Sequence, residues 1–156
     1  MSMMASMWSI KNEFDFDMMT LTRCYGFSAA HKLWNPDWDV AQNDKSFGAC
    51  ARLHGHTYRL EVTVSGMPSV ETGMILDLRI MDALVNELIL SHVDHQYLDE
   101  DVAFIQGKRS TVEVLSRLFF DRLAFGCKAY ETIELYRVRL YESDDNWAET
   151  VRGGAK

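Results

Sequence analysis

The segment from His54 to Ser65 alternates between two kinds of side chain, and this alternation predicts a half-buried β-strand. One face carries Thr57, Arg59, Glu61, Thr63 and Ser65, and the other carries His54, His56, Tyr58, Leu60, Val62 and Val64. Because successive side chains of a strand point to opposite faces of the sheet, both histidines must lie at the end of the packed face. A strand with one apolar face needs a sheet that is covered on that side, so the segment favours a layered fold.

A second alternating segment, from Leu21 to His31, ends in another histidine. Its apolar side carries Leu21, Tyr25, Phe27 and Ala29 in line with that histidine. If the two strands are neighbours in the sheet, three imidazoles converge on one face. Three neutral imidazole nitrogens with one position left open are typical of a catalytic zinc ion. The pattern therefore predicts that His31, His54 and His56 bind Zn²⁺, with Cys50 near the metal but not needed as a ligand.

The same residues also have a plainer interpretation. A polar strand end can carry histidines that are solvated or hydrogen-bonded to the backbone, and a His-x-His pair is common. Cys50, four residues before His54, can equally be a small buried apolar residue. The residue pattern alone leaves both interpretations open.

Length, charge and cysteine content exclude several classes of partner. The chain has 156 residues, which is one domain by length. Its net charge of -7 argues against nucleic acid as a partner. It has no run of about 18 apolar residues, so we expect no membrane partner. Cys24, Cys50 and Cys127 are odd in number and widely spaced, which argues against disulfides and predicts a reducing, cytoplasmic location.

The first 18 residues differ in composition from the rest of the chain. They are rich in methionine and lack both a basic start and a continuous apolar centre, so they do not resemble a secretory signal. We interpret residues 1 to 18 as a mobile N-terminal extension or an upstream start, and residues 19 to 156 as a single domain. No internal repeat or low-complexity segment is visible in the sequence.

The middle of the chain predicts a long loop and two helices. Residues 34 to 49 show no consistent period and are interpreted as a loop of the length that often forms a functional lid. Asp77 can cap the first helix. Its apolar stripe consists of Leu78, Met81, Leu84, Val85 and Leu88. Ser110 to Glu113 form a capping-box pattern at the start of the second helix, and Gly126 can end it.

Two further strands complete the predicted order. Residues 132 to 142 alternate again, and one face of that strand is formed by Tyr136, Val138, Leu140 and Glu142. Residues 147 to 152 make a short last strand. The predicted fold is therefore α+β, a four-stranded antiparallel sheet with two helices on one face in the order β-β-α-α-β-β. The free edges of such a sheet favour closure by other copies of the chain.

Several short motifs occur in a fixed order between residues 21 and 152. They are Phe27-Ser-Ala-Ala-His31, Phe47-Gly-Ala-Cys50, His54-Gly-His56, Thr72-Gly-Met74, Asp94-His95 with Leu98-Asp99, Ser110-Thr111 with Glu113, and Tyr141-Glu142-Ser143. Through these motifs the chain resembles the family of 6-pyruvoyl- and 6-carboxy-tetrahydropterin synthases, whose members share the tunnelling fold (T-fold).

The resemblance implies a role for each candidate residue. It matches the zinc ligands to His31, His54 and His56, the catalytic cysteine to Cys50, the pair that activates this cysteine to Asp94 and His95, the carboxylate that anchors the pterin ring to Glu142, and a part of the pterin pocket to Thr111. It also implies 7,8-dihydroneopterin triphosphate as the substrate. The implied assembly is a homo-oligomer, commonly a hexamer of two trimers with sites between subunits.

Judged from the residues alone, several of these roles have structural alternatives. Asp94 and His95 can simply brace the turn after the first helix. Glu142, at a strand end, can simply be exposed. Three basic residues are candidates to bind the triphosphate: Arg52, Lys108 and Arg109. Their structural alternative is that they are ordinary solvated surface charges.

Spacing distinguishes the branches of the family. Only three residues separate Cys50 from His54, which resembles the 6-carboxy branch that feeds 7-deazaguanine and queuosine synthesis, although Asn35-Pro36 and Phe47-Gly48 resemble the 6-pyruvoyl branch. A folate-linked branch places glutamate near the cysteine position, so Cys50 argues against it. We predict a 6-carboxy-tetrahydropterin synthase, a lyase that releases acetaldehyde and triphosphate. The alternatives are a 6-pyruvoyl-tetrahydropterin synthase and a non-catalytic zinc- or pterin-binding module.

Overall fold

A computed structural model describes residues 18 to 153, and its centre is an antiparallel sheet in which the strands lie side by side in chain order. The strands are β1 (Met19–His31), β2 (His54–Gly66), β3 (Ile133–Ser143) and β4 (Asn146–Val151). Helices follow β1 and β2, and those that follow β2 pack on one face of this sheet. The predicted α+β architecture with a four-stranded antiparallel sheet is confirmed.

The main helices lie between the second and third strands. The helices are α1 (Val40–Phe47), α2 (Leu78–Val85), α3 (Ser91–Val93), α4 (Leu98–Asp101) and α5 (Val112–Cys127), with a π-helical turn over Asn86–Leu90 joining α2 to α3. Asp77 caps α2 as predicted, because its carboxylate accepts from the backbone N–H of Arg79 at 2.9 Å. Helix α5 packs against the sheet, where the rings of Phe119 and Phe27 meet edge to face. None of the described helices has both the length and the apolar character needed to cross a membrane.

The pairing of β1 with β2 sets the position of the histidines. His31 lies directly opposite His54 in an antiparallel register that runs along both strands without a bulge. Phe27 lies opposite Tyr58, and their stacked rings, 4.9 Å apart between centroids, begin the hydrophobic core. The apolar faces predicted for these two strands are confirmed, and the histidines stand at the end of the packed face.

The predicted long loop over residues 34 to 49 is partly wrong, because its second half forms α1. Asp39 and Gln42 make a capping box there. The Asp39 carboxylate accepts from the Gln42 N–H at 2.7 Å, and the Gln42 side-chain carbonyl accepts from the Asp39 N–H at 3.1 Å. A helix of eight residues is too short to show a clear period in the sequence. A 3₁₀ turn over Gly48–Ala51 follows α1 and carries Cys50.

The start of α5 also differs from the predicted capping box. Thr111, not Ser110, is the N-cap residue, and its hydroxyl accepts from the Val114 N–H at 3.4 Å. Glu113 is exposed in the first turn and does not reach back to the cap. Ser110 is instead fully buried beside His31, where packing overrides the local capping preference. The helix continues one residue past Gly126 and ends at Cys127.

Two bulges in β3 change the faces predicted for this strand. Tyr136 is the extra residue where β3 pairs with β2, so it is 40% exposed and its predicted place on the apolar face is wrong. The buried residues on either side of it are Ile133, Leu135, Val138 and Leu140. Glu142 is the extra residue where β3 pairs with β4. A bulge re-aims side chains locally, and the second one lies at the end of the strand next to the histidines.

The extension predicted for residues 1 to 18 lies, apart from Met18, outside the described residues, as do residues 154 to 156. The described residues share one hydrophobic core between the sheet and the helices. That residues 19 to 156 form a single domain stays a prediction.

Candidate functional site

Three imidazoles meet at the end of the packed sheet face. His31 ends β1, His54 begins β2 directly opposite, and His56 follows on the same face. One ring nitrogen from each lies within 4.8 Å of the other two. The Nε2 atoms of His31 and His54 are only 3.1 Å apart. The convergence predicted from strand alternation is therefore present in the structure.

Hydrogen bonds to backbone carbonyls fix two of these rings. His31 Nδ1 lies 2.9 Å from the Ser110 carbonyl oxygen, and His54 Nδ1 lies 2.7 Å from the Arg52 carbonyl oxygen. Because a carbonyl oxygen only accepts, each Nδ1 must carry a proton, and in a neutral ring Nε2 then presents a lone pair. Two lone pairs 3.1 Å apart repel each other unless a cation lies beside them.

His56 completes a donor set that fits a metal ion. Its Nε2 is buried and has no hydrogen-bond partner among the described residues. Burial, followed by the nearby His31 and His54, lowers the pKa of His56, although Glu142 opposes the shift. The imidazole is therefore held in the neutral form that binds metals. An orphaned nitrogen beside a lone-pair contact is the arrangement expected of a site built to hold a cation.

Glu142 lies against the three histidines. Its Oε1 is 3.5 Å from His31 Nε2 and 3.7 Å from His56 Nε2, and its Oε2 accepts from the Asn146 side-chain amide at 2.8 Å. The bulge in β3 turns this carboxylate toward β2. The sequence interpretation placed Glu142 on the pterin ring, and that role stays a prediction. The structure places its carboxylate against two of the three imidazoles.

The backbone of Cys50 lies close to the end of β1, but its thiol does not belong to the histidine cluster. Its backbone carbonyl accepts from the Leu33 N–H at 2.8 Å, which ties the 3₁₀ turn to the chain two residues after His31. Its thiol is exposed, and it is not part of the described group of side chains that could hold one metal ion. A thiol beside a metal site but outside its ligand set is suited to moving protons.

Asp94 and His95 form a pair at the edge of β1. Asp94 Oδ1 accepts from the Ser28 N–H at 2.9 Å and lies 2.9 Å from His95 Nδ1. The hydrogen bond from Ser28, more than the neighbouring His95, lowers the pKa of Asp94, so the carboxylate stays ionised and can hold the imidazole. His95 has a φ of 60°, and its side chain is 80% exposed. Among the described residues, no hydrogen bond joins this pair to Cys50.

The candidate triphosphate residues do not share one location. Lys108 and Arg109 line a cavity of about 470 Å³ together with Lys32, which follows His31 directly. Arg52 does not line this cavity and contributes its backbone carbonyl to His54 instead. Thr111, predicted in the pterin pocket, uses its hydroxyl to cap α5 one residue after Ser110.

Sequence reasoning missed two buried hydroxyls beside the cluster. The Ser110 and Tyr58 hydroxyl groups have no hydrogen-bond partner among the described residues. Tyr58 shares the alternating face of His54 and His56, so this pattern was a signal for its position. Ser110 approaches His31 through its carbonyl, which every residue possesses, and the sequence carries no signal for such a contact.

The fold and the converging histidines together define the class of T-fold enzymes that act on pterins. The chain belongs to the family described as 6-pyruvoyl tetrahydropterin synthase, whose family model matches residues 20–152. Members of this family are tetrahydropterin synthases, which are lyases. The family predicted from the motifs is confirmed.

Named relatives fall into two product types. The 6-pyruvoyl tetrahydrobiopterin synthase of Dictyostelium discoideum is 32% identical over 127 residues, which cover 81% of this chain and 91% of that protein. The 6-carboxy-5,6,7,8-tetrahydropterin synthase of Haemophilus influenzae is 28% identical over an alignment of 163 positions, which covers 92% of this chain and 98% of that protein. The solved structure of Caenorhabditis elegans 6-pyruvoyl tetrahydropterin synthase matches with a TM-score of 0.80 at 30% identity, covering 90% of this chain and 99% of that one. The predicted T-fold is confirmed by this match.

Proposed function

We propose that the protein is a zinc-dependent lyase that converts 7,8-dihydroneopterin triphosphate and one water molecule to 6-carboxy-5,6,7,8-tetrahydropterin, releasing acetaldehyde and triphosphate. The observation that carries this proposal is the 3.1 Å contact between the Nε2 atoms of His31 and His54, with the Nε2 of His56, which has no hydrogen-bond partner among the described residues, in the same cluster. Three neutral imidazoles with an open side favour zinc over cations that prefer oxygen ligands. Membership of the tetrahydropterin synthase family supports the substrate class.

In this proposal the residues around the histidines divide the work. His31, His54 and His56 would hold the zinc ion, whose chemistry there would be to polarise the hydroxyl-bearing carbons of the substrate side chain. Cys50 acts as the base that moves protons on and off these carbons, since its thiol is exposed and its backbone is bonded to the chain two residues after His31. Asp94 fixes the tautomer of His95 and stabilises the His95 cation. This cation favours the thiolate form of Cys50 when the His95 ring lies beside the thiol. Lys108 and Arg109 remain candidates for the triphosphate.

The branch within the family rests on one spacing. The three residues between Cys50 and His54 favour the 6-carboxy product. The 6-pyruvoyl product is the second candidate, and a specific observation favours it: a relative with that name is 32% identical, whereas one with the 6-carboxy name is 28% identical. Both reactions start from the same substrate, so product analysis separates them.

Incubation of the metal-loaded protein with 7,8-dihydroneopterin triphosphate tests both the class and the branch. We expect acetaldehyde, trapped as a hydrazone, to appear in equal amount with triphosphate and 6-carboxy-tetrahydropterin. Triphosphate without acetaldehyde would assign the 6-pyruvoyl product instead. Stoichiometric metal with no turnover at all would contradict the lyase proposal and support a non-catalytic zinc- or pterin-binding module.

We also propose that the active site forms between copies of the chain in a homo-oligomer. Cys50 and His95 are both exposed and are not hydrogen-bonded to each other within the described chain. Residues 19–27 of β1 and the outer edge of β4 have no neighbouring strand on their free side among the described residues. Strands of other copies of the chain can therefore pair there. A hexamer of two trimers in the cytoplasm is the proposed state.

A subunit-mixing experiment checks this arrangement. Cys50→Ala and His95→Ala should each be nearly inactive alone, but an equal mixture refolded together should regain about one quarter of wild-type sites by random assortment. Wild type refolded with the Cys50→Ala, His95→Ala double variant serves as the control. If both residues act within one chain, the mixture of single variants stays inactive while the control retains about half of its sites.

A further inference from the structure

The chain between Leu33 and Cys50 forms a loop that is closed at its base. The Leu33 N–H donates to the Cys50 carbonyl at 2.8 Å, so the segment leaves β1 and returns to the same place before β2 begins. Helix α1 lies within this loop, and the stacked rings of Trp38 and Phe47 brace its two ends at 5.9 Å between centroids. The position of Cys50 therefore depends on how the loop is filled.

Asn43 fills the loop and is fully buried. Its side-chain carbonyl accepts from the Asn35 N–H at 2.8 Å. Its amide nitrogen lies 3.0 Å from the Asn35 carbonyl, 3.2 Å from the Trp38 carbonyl and 2.9 Å from the Asp39 carbonyl. Only an amide both accepts from a backbone N–H and donates to several carbonyls at this size. One side chain thus joins the start of the loop to the helix that leads to Cys50.

Nothing described at the thiol itself replaces this support. The Cys50 side chain is exposed and has no hydrogen-bond partner among the described residues, so its place is set by its backbone. That backbone follows directly from α1 through Gly48, whose φ of 54° and N–H bond to the Asp44 carbonyl shape the turn. A shift of α1 is therefore passed on to the thiol, while strand pairing holds the backbones of His31 and His54.

We propose that Asn43 is a positioning residue for Cys50, acting through helix α1 and the 3₁₀ turn. The inference rests on the proposed role of Cys50 as the base. It predicts that disturbing Asn43 slows proton transfer without emptying the histidine cluster. A residue that served only to stabilise the fold would instead change activity in proportion to the loss of stability.

The test is Asn43→Asp, which keeps the shape and the acceptor but removes the amide donor and places a charge among carbonyls. We expect kcat to fall roughly 10- to 100-fold, as for a misplaced catalytic group, with KM and bound metal unchanged. Asn86→Asp is the matched control, because it makes the same charge change at an exposed residue in the π-helical turn after α2. Ile89→Ala, in the buried core, provides a variant of lowered stability with an untouched loop.

Alkylation of Cys50 by iodoacetamide gives a readout that needs no substrate. It is measured in a Cys24→Ala background, since Cys127 is buried and Cys24 is the other exposed thiol of the described chain. The alkylation rate of an exposed thiol depends on its surroundings, so displacement of Cys50 should change that rate by roughly threefold or more. Asp39→Ala, which removes only the α1 cap, should shift both readouts in the same direction by less, and it serves if Asn43→Asp does not fold.

Two results would overturn the proposal. One is an alkylation rate in Asn43→Asp, or in Asp39→Ala, equal to that of the background protein. The other is a kcat loss no larger than that of Ile89→Ala at equal melting temperature. A wild-type protein without turnover would contradict the proposed function but not this inference, since the alkylation comparison would still decide it.

Discussion

Replacing Cys50 with alanine should reduce turnover roughly 10²- to 10⁴-fold, the usual contribution of a positioned general base. The bound metal should stay at its wild-type amount, because the cluster that can hold it consists of His31, His54 and His56. KM should change little, since the thiol is assigned to proton transfer and not to substrate binding. Initial-rate kinetics together with metal analysis of the purified variant provide the measurement.

Cys24→Ala is the matched control for that variant. Cys24 is also exposed, but it lies in the middle of β1, opposite Glu61 and far along the strand from the histidines. This variant should retain wild-type turnover and metal. If Cys50→Ala lost its metal together with its activity, the thiol would have to be a ligand, and its assignment as the base would be wrong.

Replacing His56 with alanine should remove both metal and turnover. Two imidazoles remain in the variant, and the loss of one of three protein ligands leaves too few for a stable catalytic zinc site. Turnover should then fall to the rate of chelator-treated wild-type protein. The folded sheet should persist, because His56 stands at the end of β2 and not within the hydrophobic core.

Thermal melting gives an independent measure of the same variant. Metal at 100 times its dissociation constant stabilises a folded chain by about 2.7 kcal/mol, so zinc should raise the melting temperature of the wild type but not of His56→Ala. His92→Ala is the control, because His92 is exposed at the end of α3 with its ring against Phe104. Full activity of metal-stripped wild-type protein, or unchanged metal affinity in His56→Ala, would contradict the proposed metal site.

Strand periodicity predicted the parts of the site that depend on local geometry. Alternation in β2 places His54 and His56 on one face, and the pairing of β1 with β2 brings His31 onto the same face, where the structure has all three. The same reasoning failed at Tyr136, because a bulge there shifts the alternation of buried and exposed residues by one position. The amino-acid sequence around the bulge gives no sign of this shift. It also missed α1, whose eight residues are held by Asn43 and a capping box more than by an apolar stripe.

The sequence by itself determined the family, the order of the four strands, and the shared face of His54 and His56, since side-chain direction along a strand follows from the backbone alone. Only the tertiary structure decided which atoms surround those imidazoles. The Ser110 carbonyl reaches His31 from 79 residues away, and Glu142 reaches it through a bulge at the far end of β3. Such contacts depend on how distant segments pack and pair, and a carbonyl group, present in every residue, leaves no mark in the sequence.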